Sequence, residues 1–201
     1  MTRRGFLLSA LAAAEAPLIL PVLHLSDSRA SFGPERIRRF SGAIWPEAVR
    51  DFARCGIRLH ATAKRGEVRR SPGDRPVFAG LERGSINMVL TDAIPMAWDR
   101  GRGLQGAAKR HDGYDVCLIA LNEAHPHQVP FFSVNTCVHE LLHVLLDDIG
   151  EGRLGAWRGA WREARIDAYA TRLWLFGEGA AIRRAALAYA RRRLPQNPSQ
   201  T

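Results

Sequence analysis

Apolar positions recur along the chain with two different periods, and the changes of period mark its elements. Pro46 can open a helix in which Ala48, Val49, Phe52 and Ala53 form the apolar stripe, and Gly56, just past Cys55, ends it. Ile57-Arg58-Leu59-His60-Ala61 then alternates like a half-buried strand. A turn-rich stretch around Ser71-Pro72-Gly73-Asp74 leads to a second strand, Ile86-Asn87-Met88-Val89-Leu90, which closes at Thr91-Asp92. Residues 99–114 are rich in glycine and charge, the composition of an exposed loop. Residues 116–121 are almost uninterrupted in apolar side chains, which predicts a strand central in its sheet. The polar, basic segment 31–44 reads as an extended lead-in.

From here the period becomes helical. Ser133 or Asn135 can cap a helix that runs to about Asp148 and stops at Gly150, with Val134, Val138, Leu141, Leu142 and Leu145 on a broad apolar face. Two further helices are expected over residues 157–176 and 180–194, ended by Gly177 and Pro195. Trp157, Trp161 and Trp174 recur near helical spacing and belong in the core. Helix, strands, then helices is the order of an α+β domain, a small β-sheet backing one helix and two more helices following.

With 201 residues the chain suffices for one core-forming domain and a short appendage, and 46% hydrophobic residues exclude a disordered protein. The formal charge is +9, carried almost wholly by arginine, with Lys64 and Lys109 the only lysines. That balance suits anionic partners, but the arginines are dispersed and no nucleic-acid motif accompanies them, so no specific nucleic acid is expected. Arg183, Arg184 and Arg191-Arg192-Arg193 cluster in the last helix, where a solvated basic face is the simpler reading.

The first residues read as an address. Thr2-Arg3-Arg4-Gly5-Phe6-Leu7 resembles a twin-arginine export signal, and an Ala/Leu-rich stretch to Leu23 follows. Glu15, Pro17 and Pro21 interrupt it, so no stable membrane span is expected. Ser28-Arg29-Ala30 is a small-x-small cleavage site; Ala14-Glu15-Ala16 is poorer because Pro17 would be left at the new terminus. Residues 1–30 are accordingly expected as a signal segment and 31–201 as the mature domain, periplasmic or secreted; if the segment is not a signal, the chain is cytoplasmic. Cys55, Cys117 and Cys137 cannot all pair, and their spacing matches no zinc finger. One bridge and one buried thiol would satisfy them.

His139-Glu140-Leu141-Leu142-His143 carries the chemistry. Two histidines four apart on a helix share one face and can reach one zinc ion, while Glu140 can reach a water activated by that ion. This composition yields such a pattern by chance only about 0.01 times. Cys137, two residues before His139, points to another side of the helix and is expected to pack or form half a disulfide. A third protein ligand is still needed. Asp147 and Asp148 sit at the same helix's end, where acids are ordinarily solvated. Glu163 lies on the following helix, with Asp167 one turn beyond.

HELLH followed by Glu163-Ala164-Arg165-Ile166-Asp167 resembles the gluzincin metallopeptidases, of which thermolysin is one, over about 30 residues. The continuation typical of metzincins is excluded, because Leu146 and Ile149 stand where glycine and histidine are required. Asp167-Ala168-Tyr169-Ala170 is similar to the second motif of short one-domain gluzincins. The resemblance implies a zincin-like domain binding one Zn2+ through His139, His143 and Glu163, with Glu140 as general base. Asp167 would accept a hydrogen bond from a ligand histidine, a contact worth about 10–100-fold in metal affinity or activity. The implied activity is hydrolysis of a peptide or protein substrate.

Candidates to stabilise the developing oxyanion are His125, with His127, on the segment leading to the motif helix, and Tyr169. The strand at 116–121 or its neighbour offers an edge for an extended peptide. Two rival readings remain: a zinc-stabilised binding protein of the cell envelope without turnover, and a basic nucleic-acid or envelope binder in which HELLH is incidental. Glu140 argues against the first, since a purely structural site needs no base and closes all four positions with Cys or His.

Overall fold

A computed structural model of the chain describes residues 16–31, 33–70, 76–95, 105–121, 127–129, 132–147, 166, 168 and 179–193. The apolar run near the start becomes strand β1 (Leu18–Asp27), followed by a helical arm of α1 (Pro34–Arg39), one π-helical turn (Phe40–Ile44) and α2 (Trp45–Arg54). Strands β2 (Ile57–Arg70), β3 (Pro76–Ala79), β4 (Ile86–Thr91), β5 (Gly106–His111) and β6 (Tyr114–Ala120) come next. A short hairpin, β7 (His127–Val129) and β8 (Phe132–Val134), precedes helix α3 (Thr136–Asp147), and α4 (Gly179–Arg193) is the last described element. The fold is mixed α+β, as the pattern predicts.

The main sheet has the order β3-β2-β1-β4-β6-β5. Its middle four strands run parallel, and β3 and β5 close the two rims antiparallel to their neighbours. Parallel strands buried on both faces need continuous apolar runs, which Leu18–Asp27 and Tyr114–Ala120 provide. Pro21 precedes the Val22–Ser26 stretch that pairs with β4, so its missing N–H falls where β1 has only one described neighbour.

One face of the sheet packs under the helices. Leu20, Val22, Met88, Leu90, Cys117 and Ile119 meet Phe52 of α2, Leu141, Leu142 and Leu145 of α3, and Ile182 and Tyr189 of α4 in a single core. The opposite face buries Leu23, Leu25, Val89, Val116 and Leu118, with Val68 and Phe78 packed against them from the curling rim. That curl brings the two rims together: the rings of Phe78 on β3 and His111 on β5 meet edge to face at 5.1 Å.

Several expectations are corrected. The sheet takes in Leu18–Asp27, residues that lie within the expected signal segment. Four of its side chains, Leu20, Val22, Leu23 and Leu25, are at most 1% exposed, each such burial contributing about 1.5–3 kcal/mol. The lead-in at 34–44 is helical rather than extended. Within the expected loop at 99–114, residues 106–111 form β5. Val134 belongs to β8 rather than to the motif helix.

The strands expected at 57–61 and 86–90 are present as β2 and β4, the first longer and running to Arg70. Residues 1–15, the turn at 71–74 and, apart from helical Ile166 and Ala168, the helix expected over 157–176 lie outside the described residues. Among the described residues no helix is long and apolar enough to cross a membrane.

Candidate functional site

Helix α3 is fixed at its N-terminus by Asn135. The Asn135 Oδ1 accepts from the backbone N–H of Cys137 (2.9 Å) and of Val138 (3.4 Å), the geometry of an N-cap. Its Nδ2 donates to the carbonyl of Ile44 (2.8 Å) and to the Glu47 carboxylate (3.1 Å), which ties α3 to the helical arm. Val138, Leu141, Leu142 and Leu145 then enter the core, the apolar face expected of this helix.

The remaining face carries His139, Glu140 and His143, at 5%, 3% and 6% exposure. The triplet is therefore buried rather than a surface feature. One helical turn apart, the two imidazoles converge: their Nε2 atoms are 3.0 Å apart and the ring centroids 4.7 Å. Two nitrogens bound to one zinc at about 2.0–2.1 Å and a tetrahedral angle would lie roughly 3.3 Å apart. A small opening of the rings accommodates an ion, so the pair fits half of a zinc site. Among the described residues no third His, Cys, Asp or Glu joins them.

Glu140 lies between α3 and the β5 rim. A Cβ built on Gly106 would fall 2.5 Å from Glu140 Oε1, 2.7 Å from its Cγ and 2.9 Å from its Cδ. From the sheet, the Cys117 thiol donates to the Glu140 carbonyl at 3.6 Å. The strand at 116–121 is interior, paired on both sides, so the rim beside Glu140 is its neighbour β5.

The sequence pattern does not single out Gly106, because residues 99–114 have the composition of a loop. The signal that reveals it is Asp112-Gly113, a two-residue hairpin dipeptide directly before the apolar strand. Both residues adopt positive φ (50° and 83°), joining His111 to Tyr114 in the manner of a type I′ turn.

Cys137 is a packing residue. All three cysteines are buried and unbridged, so of the two alternatives for Cys137 the structure shows packing. Burial first, and then the Glu140 carboxylate, pushes the thiols of Cys117 and Cys137 far up. Burial, then Asp51, pushes Cys55 up to about 11. Such thiols are poor nucleophiles and poor metal ligands.

The other candidates are placed less fully. His127 opens β7 rather than lying in a loop. His125, Asp148, Glu163, Asp167 and Tyr169 lie outside the described residues. Ile166, three residues after Glu163, is helical, 1% exposed and part of the same core cluster as the α3 leucines. The chain matches no known protein-family model, and no curated protein or solved structure is significantly similar to it.

Proposed function

We propose that the protein is a zinc-dependent peptidase of gluzincin type, exported by its Arg3-Arg4 segment with any processing ahead of β1. The observation that carries the reading is the buried pair of imidazoles with Nε2 atoms 3.0 Å apart and a buried carboxylate on the adjoining residue. His139 and His143 would hold the ion. Glu163 would complete the protein ligands and Asp167 would orient one imidazole, on the strength of the resemblance and of Ile166 packing in the core cluster that contains α3. When bound, zinc supplies Lewis acidity, polarising a carbonyl and lowering a water's pKa to about 7.

The protein's own groups supply the rest. Burial holds Glu140 within one turn of both imidazoles, where it accepts the attacking water's proton and returns it to the leaving amine. The β5 rim offers backbone groups to an extended peptide beside that carboxylate. The depth of the triplet in the fold excludes bulk water from one side, which strengthens each electrostatic contact.

Elemental analysis of purified protein should find one zinc per chain, removed by chelator together with hydrolysis of a fluorogenic peptide library. Glu140→Gln should keep the zinc and lose at least about a hundredfold in turnover. Glu163→Gln should lose the zinc. Zinc retained by wild type without any turnover would favour the envelope binder, and no stoichiometric metal would reject both readings.

A further inference from the structure

We infer that Gly106 is a positioning residue for Glu140, the absence of a side chain on β5 being what lets the base lie against the strand. The inference rests on the reading of Glu140 as the general base. Glycine inside a strand weakens it and ordinarily marks either a special backbone conformation or a close approach. The first explanation fails here, since Gly56, Gly80, Gly84 and Gly113 are the described glycines with positive φ and Gly106 is not among them. The second is met three times over, because the space of its Cβ falls within 3.0 Å of Cγ, Cδ and Oε1 of Glu140.

The conflict reaches the middle of the glutamate side chain, so turning the carboxylate alone would not relieve it. The backbone of α3 is held as well, since the Glu140 carbonyl is engaged by Cys117 from β6, and the residue is only 3% exposed. A methyl group at 106 therefore has to displace the carboxylate relative to the imidazoles. The three heavy atoms nearest that Cβ all belong to Glu140 and none to either histidine, so the conflict falls first on the base. Metal binding and proton transfer thus separate: the first is left by the substitution, the second is not.

The test is a cycle of Gly106→Ala and Glu140→Asp, whose shorter side chain withdraws from the methyl group. On the zinc-loaded proteins and one fluorogenic peptide cleaved by wild type, Gly106→Ala should keep one zinc and a KM within about twofold while kcat falls ten- to a hundredfold, the scale of an ångström-sized misplacement. In the Glu140→Asp background the same alanine should cost less than about threefold. A second cycle needs no turnover: Gly106→Ala should lower the thermal midpoint of the zinc-free protein, and should not do so once Glu140 is alanine. Unchanged kcat in Gly106→Ala, an equal penalty in both backgrounds, or an equal thermal loss with and without Glu140 would overturn the inference. A wild type that cleaves nothing would instead overturn the functional reading, and the base-positioning role with it, while the thermal cycle still reported the contact. Should Gly106→Ala fail to fold, recovery of folding in the double variant with Glu140→Ala supports the inference and continued failure refutes it.

Discussion

Asn135 joins two parts of the molecule through one amide group. Its oxygen caps α3 and its nitrogen holds the carbonyl of Ile44 and the carboxylate of Glu47. Asn135→Ala should cost about 1–2 kcal/mol in urea denaturation, the upper range for a lost cap, because two half-buried partners lose a donor as well. Asn135→Asp keeps the cap but sets a second carboxylate against Glu47, so it should recover only part of that loss. His24 gives a residue-scale prediction in pH. It lies against the edges of Phe40 and Trp45, its Nε2 buried with no hydrogen-bond partner among the described residues, and burial lowers its pKa from 6.5 to about 4. Above pH 6.5 the imidazole is neutral folded and unfolded, and its contribution is complete. As pH falls towards 4 the unfolded chain takes the proton first, so stability should drop by about 2–3 kcal/mol across that window. In His24→Phe the slope should flatten; an unchanged slope would mean that other groups set it.

At the scale of elements, legibility followed how far a segment's own residues dictate its state. Residues 116–121 and α3 were legible because apolar content and period alone decide them. The arm at 34–44 was not, since PERIRR has no apolar stripe and α1 buries no residue of its own. Strand β5, Gly-Ala-Ala-Lys-Arg-His, has no β-branched or large apolar side chain, and pairing with β6 through the hairpin imposes its conformation. That dependence is testable at the turn. Gly113 sits at φ 83°, where a β-branched side chain is strained, so Gly113→Val should destabilise by about 1–3 kcal/mol. It should also loosen β5 first, seen as faster hydrogen exchange at Ala107 to Arg110 than at β1 or β4. Of the site, the motif was legible and its partner strand was not. The sequence holds the hairpin dipeptide but not the fact that the rim it creates runs past Glu140.

For the molecule as a whole, the placement of β1 decides what can be removed. A buried parallel strand and an export segment's apolar region share one composition, and only the pairing of Leu18–Asp27 with β2 and β4 separates them. A chain beginning at Ala16 keeps that strand and should unfold cooperatively. One beginning at Ser31 loses four fully buried side chains from mid-sheet and should show no cooperative transition by near-ultraviolet dichroism. If the shorter chain melted normally, β1 would be dispensable and the leader would extend to Ala30.

The three unbridged cysteines have a consequence for the route to the folded state. Nothing in the finished fold depends on an oxidant, and each sulfur is shielded by the packed sheet and helices around it. That shield exists only after folding, whereas an unstructured chain would offer all three to mismatched cross-linking. A molecule built this way is safest when it reaches its final shape in a reducing environment.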